Sequence, residues 1–347
     1  MLKIAYDMTA LAESPHGGVA RVSYHSALQA AAHPSVEPIG YFRKGVRDNI
    51  GINDISIVKH RPYHQMLSPW YDIAHSLCHR KLQVRASRHV YTVHDAWSLE
   101  PNDYQDAAFQ KKVGERLRRE IEAADHVVTI SETTRNHLLK AGLVQPENCT
   151  VTYLGYSPPE TETDGKAFPR PPTPYVLYVG CLEMRKNISH LLDAVRPMSD
   201  VHLVIAGQPG YGYEEEIKGE LEAFPHDRIH LLKTVTRGDL PRLYRNAVAT
   251  LLPSWEEGFG LPILEAMANS CPIITSNRSA NAEIGGDAAI LIDPNIPEQS
   301  HRAIEKLRDD NDYRKTVVRA GENRSRLFTW EKYFDSLMVV YERVLQP

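Results

Sequence analysis

The chain has no long apolar run and few cysteines. These two shortages argue against a membrane-spanning protein, a disulfide framework and a zinc site. No window approaches the roughly 18 uninterrupted apolar residues that a bilayer crossing requires. The four cysteines, Cys78, Cys149, Cys181 and Cys271, are widely spaced and form no C-x-x-C pair. This spacing favours reduced cytosolic thiols over a disulfide framework or a zinc site. We therefore expect a soluble cytoplasmic protein, attached at most peripherally to the inner face of the cytoplasmic membrane.

An excess of either charge is also missing. Lys and Arg number 40 and Asp and Glu number 44, so the bulk charge gives no case for a nucleic-acid partner. The N-terminus enters a strand pattern without a basic segment followed by an apolar one, and we expect no signal peptide. A chain of 347 residues is too long for one ordinary core and indicates two domains.

Short β-branched runs alternate with longer helical patterns, which indicates βαβ units and largely parallel sheets. In the first half, the predicted strands are residues 2–7, 36–41, 72–75, 89–94, 127–130 and 151–153, and the helices include residues 18–32, 107–123 and 131–141. In the second half, the predicted strands are residues 175–179, 201–206, 229–232, 249–252, 273–275 and 289–292, and the helices include residues 187–196, 240–246 and 261–268.

A proline-dense segment, residues 157–174, interrupts the alternation and is predicted to be a linker. We place an N-terminal domain at residues 1–165, a second domain at residues 166–328 and a C-terminal helix at residues 329–347. Ligands of open parallel sheets bind beyond the carboxyl ends of the strands, which favours a cleft between the two domains. Two independent domains without a shared site are the alternative.

The most informative segment, residues 253–268, leads from a predicted strand into a helix. Gly258 and Gly260 allow a tight backbone that can approach a ligand, and Pro262 suits a first helical turn. A helix N-terminus of this kind is a natural phosphate site. Glu257 and Glu265 would be repelled by phosphates and suit sugar hydroxyls instead. The alternative is two solvated glutamates near a helix start.

Glu257 and Glu265 are separated by seven residues, and the segment resembles the E-x7-E signature of the retaining glycosyltransferases of family GT4. Residues 17–21, 92–95, 131–135 and 180–187 resemble further motifs of that family, in the expected order. The resemblance implies an α/β GT-B fold, with two doubly wound Rossmann-like domains facing across a cleft. It also implies that the C-terminal helix crosses back to the first domain, where its apolar spacing alone would indicate simple core packing.

The resemblance also implies the roles of individual residues. Arg185 and Lys186 would bind the donor diphosphate, because Arg can fork onto two phosphate oxygens while Lys acts as a point charge. Gly17 and Gly18 would face the diphosphate or the acceptor, although a Gly-Gly pair alone is usually a turn. The implied donor-binding set is Gly17, Gly18, Arg185, Lys186, Gly258, Phe259, Gly260, Leu261 and Glu265.

The implied catalytic residues are Glu257 and His94, the latter contacting the transferred sugar at the end of a predicted strand. A histidine at a strand end is otherwise more often structural, and His75 has a similar position with a weaker claim. Cys181 departs from the family pattern, in which a small polar or basic residue often joins the phosphate contacts. That departure leaves Arg185 and Lys186 with more of the phosphate binding.

The implied activity is a retaining transfer of a hexosyl group from a nucleotide sugar. GDP-mannose is the favoured donor, and a hydroxyl of a glycan, lipid-linked oligosaccharide or glycolipid is the acceptor. The departing phosphate would help to deprotonate the acceptor hydroxyl, and we expect no cofactor and no required metal. The alternatives are a GT-B-fold sugar-nucleotide epimerase or hydrolase and a non-catalytic sugar-nucleotide-binding protein.

Basic residues concentrate on or near helices of the first domain, and two interpretations stay open. They could contact anionic lipid headgroups, or form a solvated face with ion pairs such as Glu115 with Arg119, which we favour slightly. The residues are Arg80, Lys81, Arg85, Arg88, Lys111, Lys112, Arg116, Arg118 and Arg119.

Overall fold

A computed structural model describes residues 1–15, 17–42, 56–59, 68–78, 80–100, 102–159, 171–232 and 235–346. The chain forms two compact units. The first comprises Met1–Pro101, Ala107–Gly155 and Thr329–Pro347, and the second comprises Asn102–Asp106 and Tyr156–Phe328. The predicted boundary between residues 165 and 166 lies outside the described residues, as does the middle of the predicted linker. The described ends of that linker, residues 157–159 and 171–174, are neither helix nor strand.

The described part of the first unit contains a 7-stranded parallel sheet. Its strands are β1 (Leu2–Asp7), β2 (Val36–Phe42), β3 (Ser56–Lys59), β4 (Tyr71–Ser76), β5 (Ala86–Val93), β6 (His126–Thr129) and β7 (Cys149–Val151), in the order β3-β2-β1-β4-β5-β6-β7. Its α-helices are Ala10–Glu13, Gly18–Ala32, Ala107–Glu122, Glu132–Lys140 and Trp330–Leu345, with 3₁₀ turns at Trp97–Leu99 and Pro146–Asn148.

The centre of this sheet is buried on both faces, as expected for a parallel sheet covered by helices. Ile4, Ala5 and Tyr6 of β1 and Ile73 and Ala74 of β4 are all fully buried. The strand β7 begins two residues before the predicted strand at 151–153, because Cys149 is buried in the core beside Val127. The amide of Thr152 still donates to the carbonyl of Thr129 at 2.8 Å, so pairing continues past the end of the strand.

The C-terminal helix Trp330–Leu345 packs within the first unit. The Tyr333 hydroxyl bonds Ser26 Oγ at 2.9 Å, and the Tyr341 hydroxyl bonds His75 Nδ1 at 2.6 Å. The Trp330 indole stacks on the His25 ring with centroids 4.1 Å apart. Buried aromatic rings with polar tips therefore fasten the end of the chain to elements from its beginning.

The described part of the second unit contains a 6-stranded parallel sheet. Its strands are β8 (Tyr175–Val179), β9 (His202–Ala206), β10 (Ile229–Leu232), β11 (Ala249–Leu252), β12 (Ile273–Ser276) and β13 (Ile290–Ile292), in the order β10-β9-β8-β11-β12-β13. Its α-helices are Ile188–Val195, Lys218–Glu222, Leu240–Asn246, Leu261–Ala268, Ser279–Gly285, Pro297–Asp309 and Asn311–Ser325. A π-helical turn spans Tyr213–Ile217, and 3₁₀ turns span Met184–Lys186 and Gly286–Ala288.

Both sheets follow the doubly wound order 3-2-1-4-5-6, and the first adds a seventh strand at its edge. The predicted fold class, two doubly wound α/β domains with a C-terminal helix, is confirmed. The order reverses between β1 and β4 in the first sheet and between β8 and β11 in the second. Ligands of such sheets bind where the order reverses. Among the residues described, no helix is long and apolar enough to span a membrane.

Candidate functional site

Two segments of the second unit meet beyond the carboxyl ends of β8 and β11. The turn Met184–Lys186 follows β8, and residues 253–260 follow β11. The amide of Trp255 donates to the carbonyl of Arg185 at 2.9 Å and joins the two segments directly. Because β8 and β11 are the neighbours at which the sheet order reverses, this is where the topology favours a ligand site.

An ion-pair network connects these segments. Glu257 Oε1 accepts from Lys186 Nζ at 2.5 Å, and Glu257 Oε2 accepts from Arg185 Nη1 at 3.1 Å. Arg185 also donates to Glu183 Oε1 at 2.5 Å and to the carbonyl of Glu256 at 2.7 Å. The four charged side chains are between 13% and 20% exposed. Two cations and two carboxylates therefore share a largely buried position.

The charge state of Glu257 follows from its partners. Burial alone would raise the pKa of this carboxyl, but Lys186 and Arg185 hold the pKa at about 2, helped by the Ser254 hydroxyl. The carboxylate is therefore ionised at neutral pH. An anion entering the site would compete with it for the same two cations. The arrangement can thus keep Lys186 and Arg185 in place while the site is empty and offer them to a phosphate.

The loop after β11 is shaped by residues with unusual backbone angles. Gly260 has φ +85° and precedes the helix Leu261–Ala268, and a Cβ atom there would lie 2.9 Å from Ile263 Cδ1. Asn187, with φ 56°, donates from Nδ2 to the carbonyls of Pro253 at 3.2 Å and Pro294 at 2.9 Å. Asn187 thereby ties the turn after β8 to the start of the loop, and glycine suits position 260 because it carries no Cβ.

Three polar residues that the sequence analysis did not name also support Glu257 or Arg185. Ser279 Oγ accepts from the Glu257 amide at 3.0 Å and donates to the Glu257 carbonyl at 2.7 Å. Ser254 Oγ donates to Glu257 Oε1 at 2.9 Å, and Glu183 pairs with Arg185. Glu183 and Ser254 lie inside the segments that resemble family motifs, so the sequence could have indicated them as site residues. Ser279 lies 22 residues beyond Glu257 and has no such signal.

Most of the other predicted donor-binding residues of this unit are more deeply buried than Glu257. Glu265 is 4% exposed, and its Oε2 accepts from the Tyr244 hydroxyl at 2.7 Å. The Phe259 ring is buried edge-on against Phe328, with centroids 6.1 Å apart, and Leu261 is also buried. Phe259 and Leu261 can therefore offer a ligand mainly their backbone. Gly258 lies in the loop beside Glu257.

The remaining predicted residues lie in the first unit. Gly17 is the residue before the helix Gly18–Ala32, and a Cβ atom on it would lie 2.9 Å from Ser14 Oγ. His94 follows β5, is half-buried and has Nε2 2.8 Å from the carbonyl of Leu77. A carbonyl can only accept, so Nε2 carries a proton and donates in this contact.

His75 is a core residue, so its weaker claim as a site residue was wrong. It is fully buried on β4, with Nδ1 bonded to the Tyr341 hydroxyl and Nε2 2.7 Å from Thr92 Oγ1. Burial lowers the pKa of its ring to about 3, and His94 adds to the effect. Both nitrogens are engaged inside the unit, so the ring is neutral and structural.

Several of the basic residues of the first unit are engaged within it. Lys81 Nζ donates to the carbonyl of Ala123 at 2.8 Å, Arg88 Nε donates to the carbonyl of Val344 at 2.8 Å, and the Arg85 guanidinium lies 5.3 Å from the centre of the Trp70 ring. Glu115 lies 4.0 Å from Lys111. Across the residues that the structure describes, no group of three His, Cys, Asp or Glu is placed to hold a metal ion.

Comparisons with known proteins cover most of the chain. The family model "Glycosyltransferase Family 4" matches residues 16–158, and the model "Glycosyl transferases group 1" matches residues 160–324. The chain is 29% identical over 262 residues to the O-antigen chain mannosyltransferase B of Escherichia coli, across 71% of this chain and 68% of that protein. It is 27% identical over 220 residues to the O-antigen chain mannosyltransferase RfbU of Salmonella typhimurium, across 62% of this chain and 60% of that protein. The second alignment thus spans less than two thirds of the relative's length.

Solved structures share the fold over almost the full length. Sucrose-phosphate synthase from Thermosynechococcus elongatus is 19% identical with a TM-score of 0.79 and covers 99% of both chains. HepE from Anabaena in complex with UDP and glucose is 16% identical with a TM-score of 0.75, over 99% of this chain and 100% of that one. At such identities the likeness shows the fold.

Proposed function

The chain belongs to the family 4, or group 1, glycosyltransferases and is a hexosyltransferase, and from that premise we propose that it transfers mannose from GDP-mannose with retention. The proposed acceptor is a hydroxyl of a glycan or a lipid-linked oligosaccharide on the cytoplasmic side of the membrane. The mannosyl choice is supported by the two O-antigen chain mannosyltransferases, whose names state that activity for them.

The observation that carries the proposal is the network of Glu257 with Lys186 and Arg185 at the reversal point of the second sheet. In a nucleotide sugar, the diphosphate leaves with the electron pair of the bond to the anomeric carbon. A lysine and an arginine next to that group stabilise the charge as it develops. The fixed positions of both cations, held by carboxylates before the donor binds, favour this role because little reorganisation is then required.

The proposed reaction needs no separate base. The acceptor hydroxyl attacks the anomeric carbon from the face that the diphosphate leaves, so the new C–O bond replaces the old one with retention. The hydroxyl proton passes to the departing phosphate oxygen. Once the donor is bound, Glu257 accepts from a hydroxyl of the transferred sugar and Glu265 accepts from a hydroxyl of the ribose. For His94, Gly17 and Gly18 we propose the roles that the family resemblance implies, with His94 contacting the transferred sugar.

The test begins with thermal stabilisation by GDP, UDP and their mannose and glucose esters, since only ligands of the folded state raise the melting temperature. We expect GDP and GDP-mannose to stabilise the wild type. Lys186→Ala should weaken GDP binding about tenfold, as loss of one charge-assisted contact predicts. Lys218→Ala is the matched control, because Lys218 pairs with Glu214 on an exposed surface of the same unit.

Transfer from GDP-mannose to octyl α-mannoside then tests the reaction itself, and an α-linked product shows retention. We expect the Lys186→Ala rate to fall by about 10²–10³, the usual effect of removing one group that stabilises developing charge. If UDP sugars stabilise the chain and GDP sugars do not, the donor assignment is wrong. If no nucleotide stabilises it, the transferase proposal fails.

A further inference from the structure

A short segment from the first half of the chain belongs to the second unit. Residues Asn102–Asp106 cluster with that unit, although the chain on both sides of them belongs to the first. The amide of Tyr104 donates to Asn102 Oδ1 at 3.1 Å, which closes a turn within the segment. The helix Ala107–Glu122 begins directly afterwards. We call Asn102–Asp106 the strap.

The strap is fastened by two hydrogen bonds to one hydroxyl. The Asp106 amide donates to the Tyr211 hydroxyl at 3.0 Å, and that hydroxyl donates to Asp106 Oδ2 at 3.0 Å. The phenol thus accepts from the amide and donates to the carboxylate of the same residue. This arrangement specifies where the strap lies.

Tyr211 also supports the turn that carries the two site cations. Its carbonyl lies 3.4 Å from the amide of Met184, the first residue of the turn Met184–Lys186. Next to it, Gly212 has φ +76°, and a Cβ atom there would lie 2.8 Å from Met184 Cγ. Gly210 donates to the carbonyl of Leu182 at 2.8 Å. The residue that anchors the strap therefore packs directly on the turn of Arg185 and Lys186.

The strap places the phenol of Tyr104 near charged residues of the site. Tyr104 is partly buried, and burial raises the pKa of its hydroxyl, an effect that Glu256 increases and Arg278 and Arg185 oppose. The hydroxyl therefore keeps its proton at neutral pH and is available as a donor. Arg278 is itself held between the Trp255 ring, at 5.6 Å, and Asp293, at 3.7 Å.

We propose that Tyr104 is a further donor-contacting residue of the transferase, presented beside Arg185 by the strap and donating its hydroxyl to an oxygen of the nucleoside diphosphate. The inference rests on the proposed function, since it assigns a residue to the same donor. The chemistry suits the position: a neutral phenol donates to a phosphate without adding charge, whereas a carboxylate would be repelled. Asp106 and Tyr211 are positioning residues in this scheme, because they act through Tyr104.

The experiment measures GDP affinity by calorimetry, and donor KM and kcat by transfer from GDP-mannose, for the full chain and its variants. Tyr104→Phe removes only the hydroxyl, and we expect GDP to bind about tenfold more weakly with an unchanged melting temperature of the free protein. Tyr211→Phe removes the hydroxyl that holds the strap. Tyr104 is then positioned less firmly, and GDP binding should weaken about threefold. Tyr313→Phe is the matched control, because its ring packs against Lys306 on a helix outside the site.

The outcomes separate this inference from the proposed function. If the wild type binds GDP and Tyr104→Phe binds it with the same affinity, the Tyr104 assignment is overturned while the transferase proposal stands. If Tyr104→Phe lowers kcat alone and leaves GDP affinity unchanged, the phenol does not contact the diphosphate. The proposed role of Tyr104 is then wrong. If the wild type binds none of the nucleotides, both proposals fail together.

Discussion

The two units share one sheet order but use their polar residues in opposite ways. In the first unit, several polar residues at the carboxyl ends of β1, β4 and β5 are buried and paired within the fold, as His75 with Thr92 and Asp7 with Thr9 illustrate. In the second unit, the corresponding ends of β8 and β11 carry Arg185, Lys186 and Glu257, which remain partly exposed. Topology thus decides where a site can form, and the proposed phosphate site lies in the unit whose charged side chains stay within reach of solvent.

The largest stability effect should come from the first unit. His75→Ala removes a fully buried ring and leaves the Tyr341 and Thr92 hydroxyls without that partner, so we expect a loss of about 3 kcal/mol in the free energy of unfolding. GDP affinity should not change. Calorimetric melting and GDP titration check both parts, with the exposed His226→Ala as the control. A GDP affinity that falls with His75→Ala would break the contrast between the units.

A smaller effect is expected at the site of the second unit. Glu257→Gln removes the partner of two largely buried cations, so the free protein should lose about 2 kcal/mol of stability. The phosphates of GDP would supply the missing negative charge. The rise in melting temperature produced by saturating GDP should therefore be larger in Glu257→Gln than in the wild type.

The control for that change is Glu214→Gln, which breaks an exposed pair with Lys218 and should cost less than about 1 kcal/mol. If GDP stabilises Glu257→Gln less than the wild type, Glu257 contacts the nucleotide directly. The carboxylate would then not be a placeholder for the diphosphate.

The smallest effect concerns pH. The pKa of His75 is lowered to about 3 in the folded state against 6.5 in the unfolded chain, so the unfolded state binds more protons between these values. The contribution of His75 to the free energy of unfolding is therefore complete well above pH 6.5 and is lost as the pH falls below that value. His75→Gln cannot bind the proton, so between pH 6 and pH 5 its stability should decline by about 1 kcal/mol less than that of the wild type. Melting curves in matched buffers measure this difference, and equal slopes would show that His75 is not protonated on unfolding.

Much of the fold could be predicted from neighbours in the sequence. The alternation of strands and helices located both sheets, and Ser131, the first residue of the predicted helix 131–141, caps that helix by accepting from the Thr134 amide at 3.1 Å. Gly260 adopts the left-handed backbone that a tight helix entrance requires, and Pro262 stands in the first turn. Caps, turns and periodicity depend on residues a few positions apart, which is why sequence patterns report them.

The strap and the role of His75 could not be predicted in this way. His75 and His94 stand near the ends of neighbouring strands, and sequence position alone does not separate them. The distinction comes from Tyr341, 266 residues further along, which engages His75. The contact between Asp106 and Tyr211 joins residues 105 positions apart, and no local pattern marks either partner.

The sequence by itself therefore determined the α/β class, the helix start after β11 and the residue types of the site, because each depends on local backbone preference and side-chain chemistry. Only the tertiary structure decided that Glu257 pairs with Lys186, 71 residues before it, that the C-terminal helix encloses His75, and that residues 102–106 join the second unit. These contacts follow from the order in which strands assemble and from the burial of apolar surface between distant segments. Such burial is a property of the folded chain as a whole.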